Sequence, residues 1–323
     1  MPQLADETTR PDAVPDWCRG DWPQTVLGLV DEQLLAAGLR RTGTAVPVRQ
    51  WSISAVLRIP TTAGTVWFKR VPDLFAHEGR IMAWVADRRP DIAPGVIGAG
   101  DGWLLSAHMP AQPGHAPDQA LASLARFQRQ TVGKARELAL LGCPDRGLEH
   151  MLADTEALAA RTDLLGAEAA HALRAVLPAF ASLLDDVSRA GLPATLVHGD
   201  VQKDNAAWTG ESWMFIDWTD CGISHPFVDL ARPLKTASAA QWTRARAAVA
   251  CVWADLVPQQ DLDVALDAAP ALGAAYQAES HRRIVDAVGP GDGFLEHVQD
   301  WVHRLVTALN SPPLSACAQG AKP

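Results

Sequence analysis

The stretch LVHGDVQKDN, residues 196–205, places ionisable and amide side chains directly behind a short apolar run, and this constrains the fold more than any other feature. The apolar residues 195–197 predict a buried β-strand, so the polar side chains begin where that strand ends. Asp200 precedes Asn205 by five residues. Taken alone, this spacing is also typical of an Asp- and Asn-rich turn that merely ends a strand, so its meaning depends on the residues further along the chain.

A second aspartate, Asp217, lies twelve residues after Asn205 in the segment AAWTGESWMFIDW. Residues 210–212 predict a turn between two aromatic-rich strands, and such a hairpin would fold Asp217 back beside Asn205. Phosphoryl transfer from ATP uses this set of groups, because an aspartate orients the acceptor hydroxyl while an amide and a carboxylate hold Mg²⁺ on the phosphates. The sequence therefore predicts Asp200 as catalytic base and Asn205 and Asp217 as metal ligands.

The same reaction needs a lysine on a strand of a small sheet to hold the nucleotide phosphates, and a glutamate on the next helix to orient it. Lys69 ends the predicted strand TVWFKR, and Glu78 follows nine residues later on a predicted helix. Each is an ordinary surface charge when taken alone. Their order along the chain favours the functional interpretation, so we predict that Lys69 binds phosphate and that Glu78 is its partner.

The first third of the chain has the pattern of a small lobe of strands. Residues 26–39 have helical spacing and meet a glycine at 38. Residues 48–71 predict two strands joined by a turn at 61–64, and residues 74–88 predict a helix. Two further short strands are predicted close to residues 95–109. This region therefore predicts an antiparallel sheet accompanied by helices.

Helical spacing dominates the rest of the chain, over residues 117–191 and 227–309, and a β island at 194–218 separates the two regions. The fold class predicted is α+β. The predicted divisions are a loose N-terminal segment at 1–22, an N-lobe at 23–110, a helical C-lobe at 111–309 and a loose tail at 310–323.

The motifs together resemble the aminoglycoside phosphotransferase and choline-kinase-like family, whose catalytic pattern is H-G-D-x-x-x-x-N followed by I-D-[WF]. The resemblance is carried by LVHGDVQKDN, by FIDWTDCGISHPFVDLA and by VWFK followed by HEG. It implies a two-lobed protein-kinase-like fold with a small β-rich N-lobe, a larger helical C-lobe and ATP in the cleft. It also implies that Asp229 braces the catalytic loop as a structural residue.

The chain departs from the family pattern at two places. Gln202 stands where members often have a histidine, two residues after the catalytic aspartate, and Lys203 follows it. The stretch QWSISAVLRI lacks the glycines that cover the phosphates in protein kinases, so we predict that Ser52 and Ser54 supply small hydroxyl side chains there. Further nucleotide contacts are predicted at the junction of the lobes, from Ser106, His108 and Met109.

Three neighbouring polar residues have plainer interpretations. We expect His198 to be a structural histidine that hydrogen-bonds the backbone of the loop, because the aspartate already supplies the base. His225, in the stretch SHPF, is interpreted as a turn residue. Asp220 is either a residue that faces the acceptor or an ordinary polar side chain of a loop.

The composition argues against nucleic acid and membranes as binding partners. The net charge of −9 and the pI of about 5.5 exclude the electrostatic attraction that drives nucleic-acid binding. The N-terminus lacks the basic start and apolar stretch of a signal peptide, so we expect a cytoplasmic protein without a membrane anchor. The sequence does not indicate an oligomeric state. The cysteines show no C-x-x-C pair and are expected to be reduced thiols: Cys18, Cys143, Cys221, Cys251 and Cys317.

The sequence does not identify the molecule that accepts the phosphoryl group. An aminoglycoside, an amino sugar, a choline-like alcohol and another hydroxylated metabolite all fit a phosphotransferase of this kind. The alternative function is an inactive nucleotide-binding pseudokinase that acts through partners. Acidic residues of the helical lobe would suit an amine, or else form a solvated face: Asp261, Asp263, Asp267, Glu279, Asp286, Asp292 and Glu296.

Overall fold

The computed structural model describes residues 15–18, 20–112 and 117–311. The predictions for residues 1–14, for part of the linker and for the tail beyond 311, Cys317 included, lie outside these ranges. A five-stranded antiparallel sheet forms the N-lobe, with strand order β1-β2-β3-β5-β4. Its strands are β1 (Val46–Trp51), β2 (Ser54–Thr61), β3 (Gly64–Arg70), β4 (Val96–Gly100) and β5 (Trp103–Ala107).

The prediction of two strands over 48–71 was wrong in number. The chain turns at residues 52–53, so β1 and β2 form one hairpin and β2 and β3 form the next. The first turn carries no glycine, proline, asparagine or aspartate, the residues by which a tight turn is usually recognised. The second turn, between β2 and β3, falls inside the predicted range 61–64.

Two helices complete the N-lobe. Helix α1 (Trp22–Ala36) packs Trp22 and Leu34 against the face of the sheet that carries Leu57 and Phe68. Helix α2 (Glu78–Arg88) begins after a short 3-10 turn, four residues later than the predicted start at 74. Its apolar side buries residues that belong to the same core cluster as the first helix of the C-lobe. Helix α2 thus joins the two lobes, with Glu78 at its first turn.

The C-lobe is helical, as predicted. Its helices are α3 (Pro117–Gln130), α4 (Ala135–Leu140), α5 (Leu148–Ala160), α6 (Thr162–Ala190), α7 (Ala239–Trp253), α8 (Gln259–Val288) and α9 (Phe294–Asn310). By length and composition alone, α6 is apolar enough to cross a membrane, but core helices pass the same test. Leu173 and Phe180 of α6 are fully buried in the core shared with α8 and α9.

Four three-residue strands position the polar loops between these helices. Strand β6 (Thr195–Val197) pairs with β9 (Gly222–Ser224), and β7 (Ala206–Trp208) pairs with β8 (Trp213–Phe215). The hairpin predicted around residues 210–212 is therefore present. Strand β9 was not predicted, because a Gly-Ile-Ser run shows neither alternation nor length. Its pairing with β6 fixes the start of the polar loop beside the segment that follows Asp217.

Candidate active site

Lys69 lies between two carboxylates at the cleft between the lobes. It is the penultimate residue of β3, and its Nζ is 2.7 Å from Glu78 Oε1 and 2.7 Å from Asp217 Oδ1. The Glu78 side chain is 2% exposed, whereas that of Asp217 is 38% exposed. The lysine therefore links the sheet, the first turn of α2 and the segment after β8.

Lys69, Glu78 and Asp217 shift one another's pKa values. Burial raises the pKa of Glu78 to about 7, although the ammonium of Lys69 acts to lower it. Burial acts to lower the pKa of Lys69, but the two carboxylates outweigh it and raise that pKa above its ordinary value. Burial also acts to raise the pKa of Asp217, yet Lys69 holds it at about 2. Asp217 is thus an anion throughout the neutral range, as a cation ligand must be.

The loop after β6 is held in place by Asp229. Its Oδ2 accepts from His198 N at 2.9 Å and from Gln128 Nε2 at 2.8 Å, and its Oδ1 accepts from Gly199 N at 2.7 Å. Gly199 has a φ of 79°, and a Cβ at this position would lie 2.0 Å from the carbonyl oxygen of Asp220. A glycine is therefore required where the loop passes the segment before β9.

His198 supports the same loop from its own side chain. Its Nδ1 accepts from Asp200 N at 3.2 Å, so the proton is on Nε2, which donates to Ile216 O at 3.0 Å. Burial lowers the pKa of His198 to about 4, and the ring is neutral at neutral pH. The histidine is structural, and it connects the Asp200 loop to the strand that leads to Asp217.

Asp200 uses its two carboxylate oxygens differently. Oδ2 accepts from Asn205 Nδ2 at 2.8 Å and from Gln202 Nε2 at 3.0 Å. Oδ1 is buried and accepts no well-aligned hydrogen bond within the described residues, but it is in ion-pair contact with Nε of Arg232. Burial raises the pKa of Asp200 above the ordinary range for a carboxylic acid, and the charge of Arg232 opposes that shift.

The two predicted metal ligands approach each other through the β7–β8 hairpin. Ile216 N donates to Asn205 O at 2.9 Å. This backbone hydrogen bond brings Asp217, the residue after Ile216, close to Asn205. The amide nitrogen of Asn205 is bound to Asp200, so its Oδ1 is left to face a cation. Asp217 Oδ1 accepts from Lys69 and Thr219, which leaves Oδ2. An amide oxygen and a carboxylate oxygen are both ligands that suit a hard divalent cation.

The predicted nucleotide contacts of the N-lobe have partners within the protein. Ser52 donates to Asp292 at 2.6 Å, and Ser54 accepts from the Trp51 indole at 2.6 Å. The remaining predicted contacts lie at the end of β5, where Ser106 is buried, His108 accepts from the Trp67 indole at 3.0 Å, and Met109 is half-buried. The structure thus gathers Lys69 with the acidic residues and leaves Ser52 and Ser54 with protein partners.

Sequence reasoning missed Arg232 and Gln277. Arg232 Nη1 donates to Gln277 Oε1 at 3.1 Å, and Gln277 Nε2 donates to the carbonyl oxygen of Gly199. Arg232 lies three residues after Asp229 in VDLARPL, and that proximity is the only signal the sequence offers. Gln277 lies inside α8, far along the chain, and carries no signal.

A family model described as the phosphotransferase enzyme family matches residues 39–276. A comparison with curated protein sequences gives no match. Solved structures of similar fold exist at low sequence identity. A choline/ethanolamine kinase family protein from Mesorhizobium loti is 15% identical, with a TM-score of 0.61 over 90% of this chain and 97% of its own.

Two antibiotic phosphotransferases are similar in fold as well. A macrolide 2′-phosphotransferase from Brachybacterium faecium is 19% identical, with a TM-score of 0.54 over 89% of this chain and 99% of its own. The GDP complex of aminoglycoside 2′-phosphotransferase-IIIa is 14% identical, with a TM-score of 0.60 over 89% of this chain and 98% of its own.

Fold and family together define a small-molecule phosphotransferase of the protein-kinase-like fold, a class that uses a nucleotide and a metal. The chain belongs to the phosphotransferase enzyme family, which confirms the resemblance seen in its motifs.

Proposed function

We propose that this protein transfers the γ-phosphoryl group of ATP, with Mg²⁺, to a hydroxyl group of a small polar molecule. The observation that carries the proposal is the bridge of Lys69 between Glu78 and Asp217. In a kinase site, a lysine held in this way is aimed at the nucleotide phosphates. An enzyme of this kind would act in the cytoplasm, where ATP is available.

Each residue contributes one part of the reaction. Asp200 would accept the proton of the acceptor hydroxyl as the new bond between oxygen and the γ-phosphorus forms and the bond to ADP breaks. Asn205 and Asp217 would hold Mg²⁺, which neutralises charge on the phosphates when it is bound. Lys69 would orient the α and β phosphates. Hydrogen bonds among these side chains keep them fixed, so that little reorganisation is needed during transfer.

The test is ADP formation from Mg-ATP over a panel of alcohols, compared between wild type and Asp200→Asn. We expect turnover to fall by about 10²- to 10⁴-fold, the usual contribution of a general base, while Mg-ATP binding measured by calorimetry persists. Asp204→Asn is the matched control, because Asp204 is an exposed aspartate of the same loop. Near-normal turnover in Asp200→Asn would refute the base assignment. Binding of Mg-ATP by wild type without turnover of any alcohol would favour a pseudokinase.

A further inference from the structure

Arg232 covers the atom of the proposed base that an acceptor must reach. Oδ2 of Asp200 already accepts two hydrogen bonds, so Oδ1 is the oxygen left to take a hydroxyl proton. That oxygen is buried under the guanidinium of Arg232. An acceptor hydroxyl can therefore reach Oδ1 only when Arg232 moves aside. The role of Arg232 toward the acceptor rests on the proposed phosphotransfer, in which Asp200 is the base.

The guanidinium is anchored on one side and open on the other. Gln277, itself 1% exposed, binds Nη1 and fixes the position of the arginine against the loop. Nη2 has no hydrogen-bond partner within the described residues, and the Arg232 side chain is 21% exposed. The arginine thus keeps donors that no described residue uses, in the fork geometry that suits a carboxylate or a phosphate.

The free-energy cost of moving Arg232 away from Asp200 depends on the new partner that its guanidinium finds. Leaving one charge of a buried ion pair without a partner is strongly unfavourable. An acceptor that brings its own anion next to the reacting hydroxyl gives the guanidinium a new partner and releases Oδ1 in the same step. A neutral or cationic acceptor offers no such exchange.

Most of the seven acids that the sequence offered for an amine are already paired with arginines. Arg246 pairs with Asp263 at 3.0 Å and with Asp267 at 2.5 Å. Arg282 holds Glu279 in a two-pronged pair, at 2.6 and 2.7 Å, and also contacts Asp286. Four of the seven acids named in the sequence are therefore neutralised by arginines. Another acid, Asp292, accepts from Ser52, and Asp261 and Glu296 are exposed or half-exposed on the surface of the lobe.

Apart from the carboxylates of Asp217 and Asp220, the other groups that act electrostatically on this region are neutral, cationic or paired. Burial lowers the pKa of His281 to about 3, and burial also lowers the pKa of His297, with Arg232 and Lys235 adding to both shifts. Lys235 is paired with Asp300 at 2.6 Å. Asp220 is the carboxylate, besides Asp217, whose charge acts on Asp200. Arg232 is consequently the charge best placed to select the acceptor.

We propose that the acceptor is a small alcohol that carries an acidic group, a carboxylate or a phosphate, and that Arg232 leaves Asp200 to bind it. The arginine then acts both as a cover for the base in the absence of the acceptor and as the residue that recognises the acceptor.

The experiment compares four three-carbon alcohols with Mg-ATP: glycerate, glycerol phosphate, glycerol and aminopropanediol. They differ in one substituent, so glycerate and glycerol phosphate separate the two kinds of anion. We expect kcat/KM for at least one anionic member to exceed that for glycerol by about 10- to 100-fold, the range of charge-assisted hydrogen bonds. Arg232→Met should abolish this advantage by raising the KM of the anionic acceptor. The KM for ATP should be unchanged.

Two further variants make the result specific. Arg232→Lys keeps the charge and should retain part of the preference, which guards against a loss caused by misfolding. Arg246→Met is the matched control, because it removes a similarly buried arginine that pairs only at the α7–α8 contact. It should leave the preference unchanged.

Three results would overturn the inference. The first is turnover of glycerol or the amine without preference for an anion, which leaves the proposed phosphotransfer intact. The second is a rise in the KM for ATP alone in Arg232→Met, which would assign Arg232 to the nucleotide phosphates. The third is absence of ADP from all four alcohols while Mg-ATP binds. If Mg-ATP does not bind at all, the proposed function itself fails.

Discussion

Removal of Lys69 tests the electrostatics of the cleft most directly. In Lys69→Met, Glu78 keeps its buried position, with a side chain 2% exposed, but loses the cation 2.7 Å away. Removing one member of a buried ion pair destabilises a protein by about 3 to 5 kcal/mol. Asp217 contributes little to this cost, because its carboxylate is 38% exposed and can be solvated by water. We therefore expect a loss of that size at pH 8.5, measured by urea unfolding.

The loss should depend on pH in a defined direction. In wild type the pKa of Glu78 is about 7 even though Lys69 lowers it, so removal of the lysine raises it further. Above pH 7, folded Lys69→Met keeps a proton on Glu78 that its unfolded chain lacks, and its stability falls as the pH rises. Relative to wild type, the variant should lose about 1.4 kcal/mol per pH unit above pH 7 until its own Glu78 ionises.

Two companion variants complete the test. Lys69→Met with Glu78→Met should recover most of the stability, because a buried ion pair replaced by apolar side chains is often neutral. The same double variant should fail to bind Mg-ATP, which separates the role of the pair in function from its role in stability. Lys134→Met removes an exposed pair with Glu137, 3.8 Å apart, and should cost less than about 1 kcal/mol. A small, pH-independent loss in Lys69→Met would refute the reasoning.

Three further predictions concern the loop after β6 and its support. Gly199→Ala would place a Cβ 2.0 Å from a backbone oxygen at a residue whose φ is 79°. We therefore expect a lower melting temperature and loss of ADP formation, and an unchanged melting temperature would contradict this reasoning. Asp229→Asn replaces one acceptor oxygen by an NH₂ group that faces backbone donors, and urea unfolding should show a loss of about 1 to 3 kcal/mol. Burial lowers the pKa of His225 to about 3, so the unfolded chain takes up a proton first as the pH falls below 6.5 and stability declines. His225→Asn should remove its share of that decline, about 1.4 kcal/mol per pH unit, while His198 and His281 keep theirs, and equal slopes for the two proteins between pH 6.5 and 5 would contradict the prediction.

The sequence predicted the parts of the site that are coded locally. Asp200 and Asn205 lie in one loop, and the turn residues at 210–212 predict the hairpin that leads to Asp217. The spacing of these three residues along the chain therefore indicates that they lie close together. Lys69 and Glu78 were predicted from their order, because a strand end and the next helix are close in any fold of this class.

Other parts could not be predicted because they depend on tertiary packing. Arg232 lies between Asp200 and Gln277 of α8, and no local pattern encodes its contact with a residue 45 positions further along the chain. Ser52 was predicted to face the nucleotide, yet its hydroxyl has a partner 240 residues away in Asp292. A hydroxyl group indicates that a hydrogen bond will form but does not specify its partner.

The contact between Ser52 and Asp292 has a consequence for how the two lobes move relative to each other. It joins the tip of the first hairpin to the loop between α8 and α9, and the rings of Trp51 and Phe294 lie 5.8 Å apart beside it. The contact thus links the N-lobe to the C-lobe at the surface, next to the point where the last two helices meet. Opening of this small, partly solvated contact should cost far less free energy than unfolding of either lobe, because the cores of both lobes remain intact.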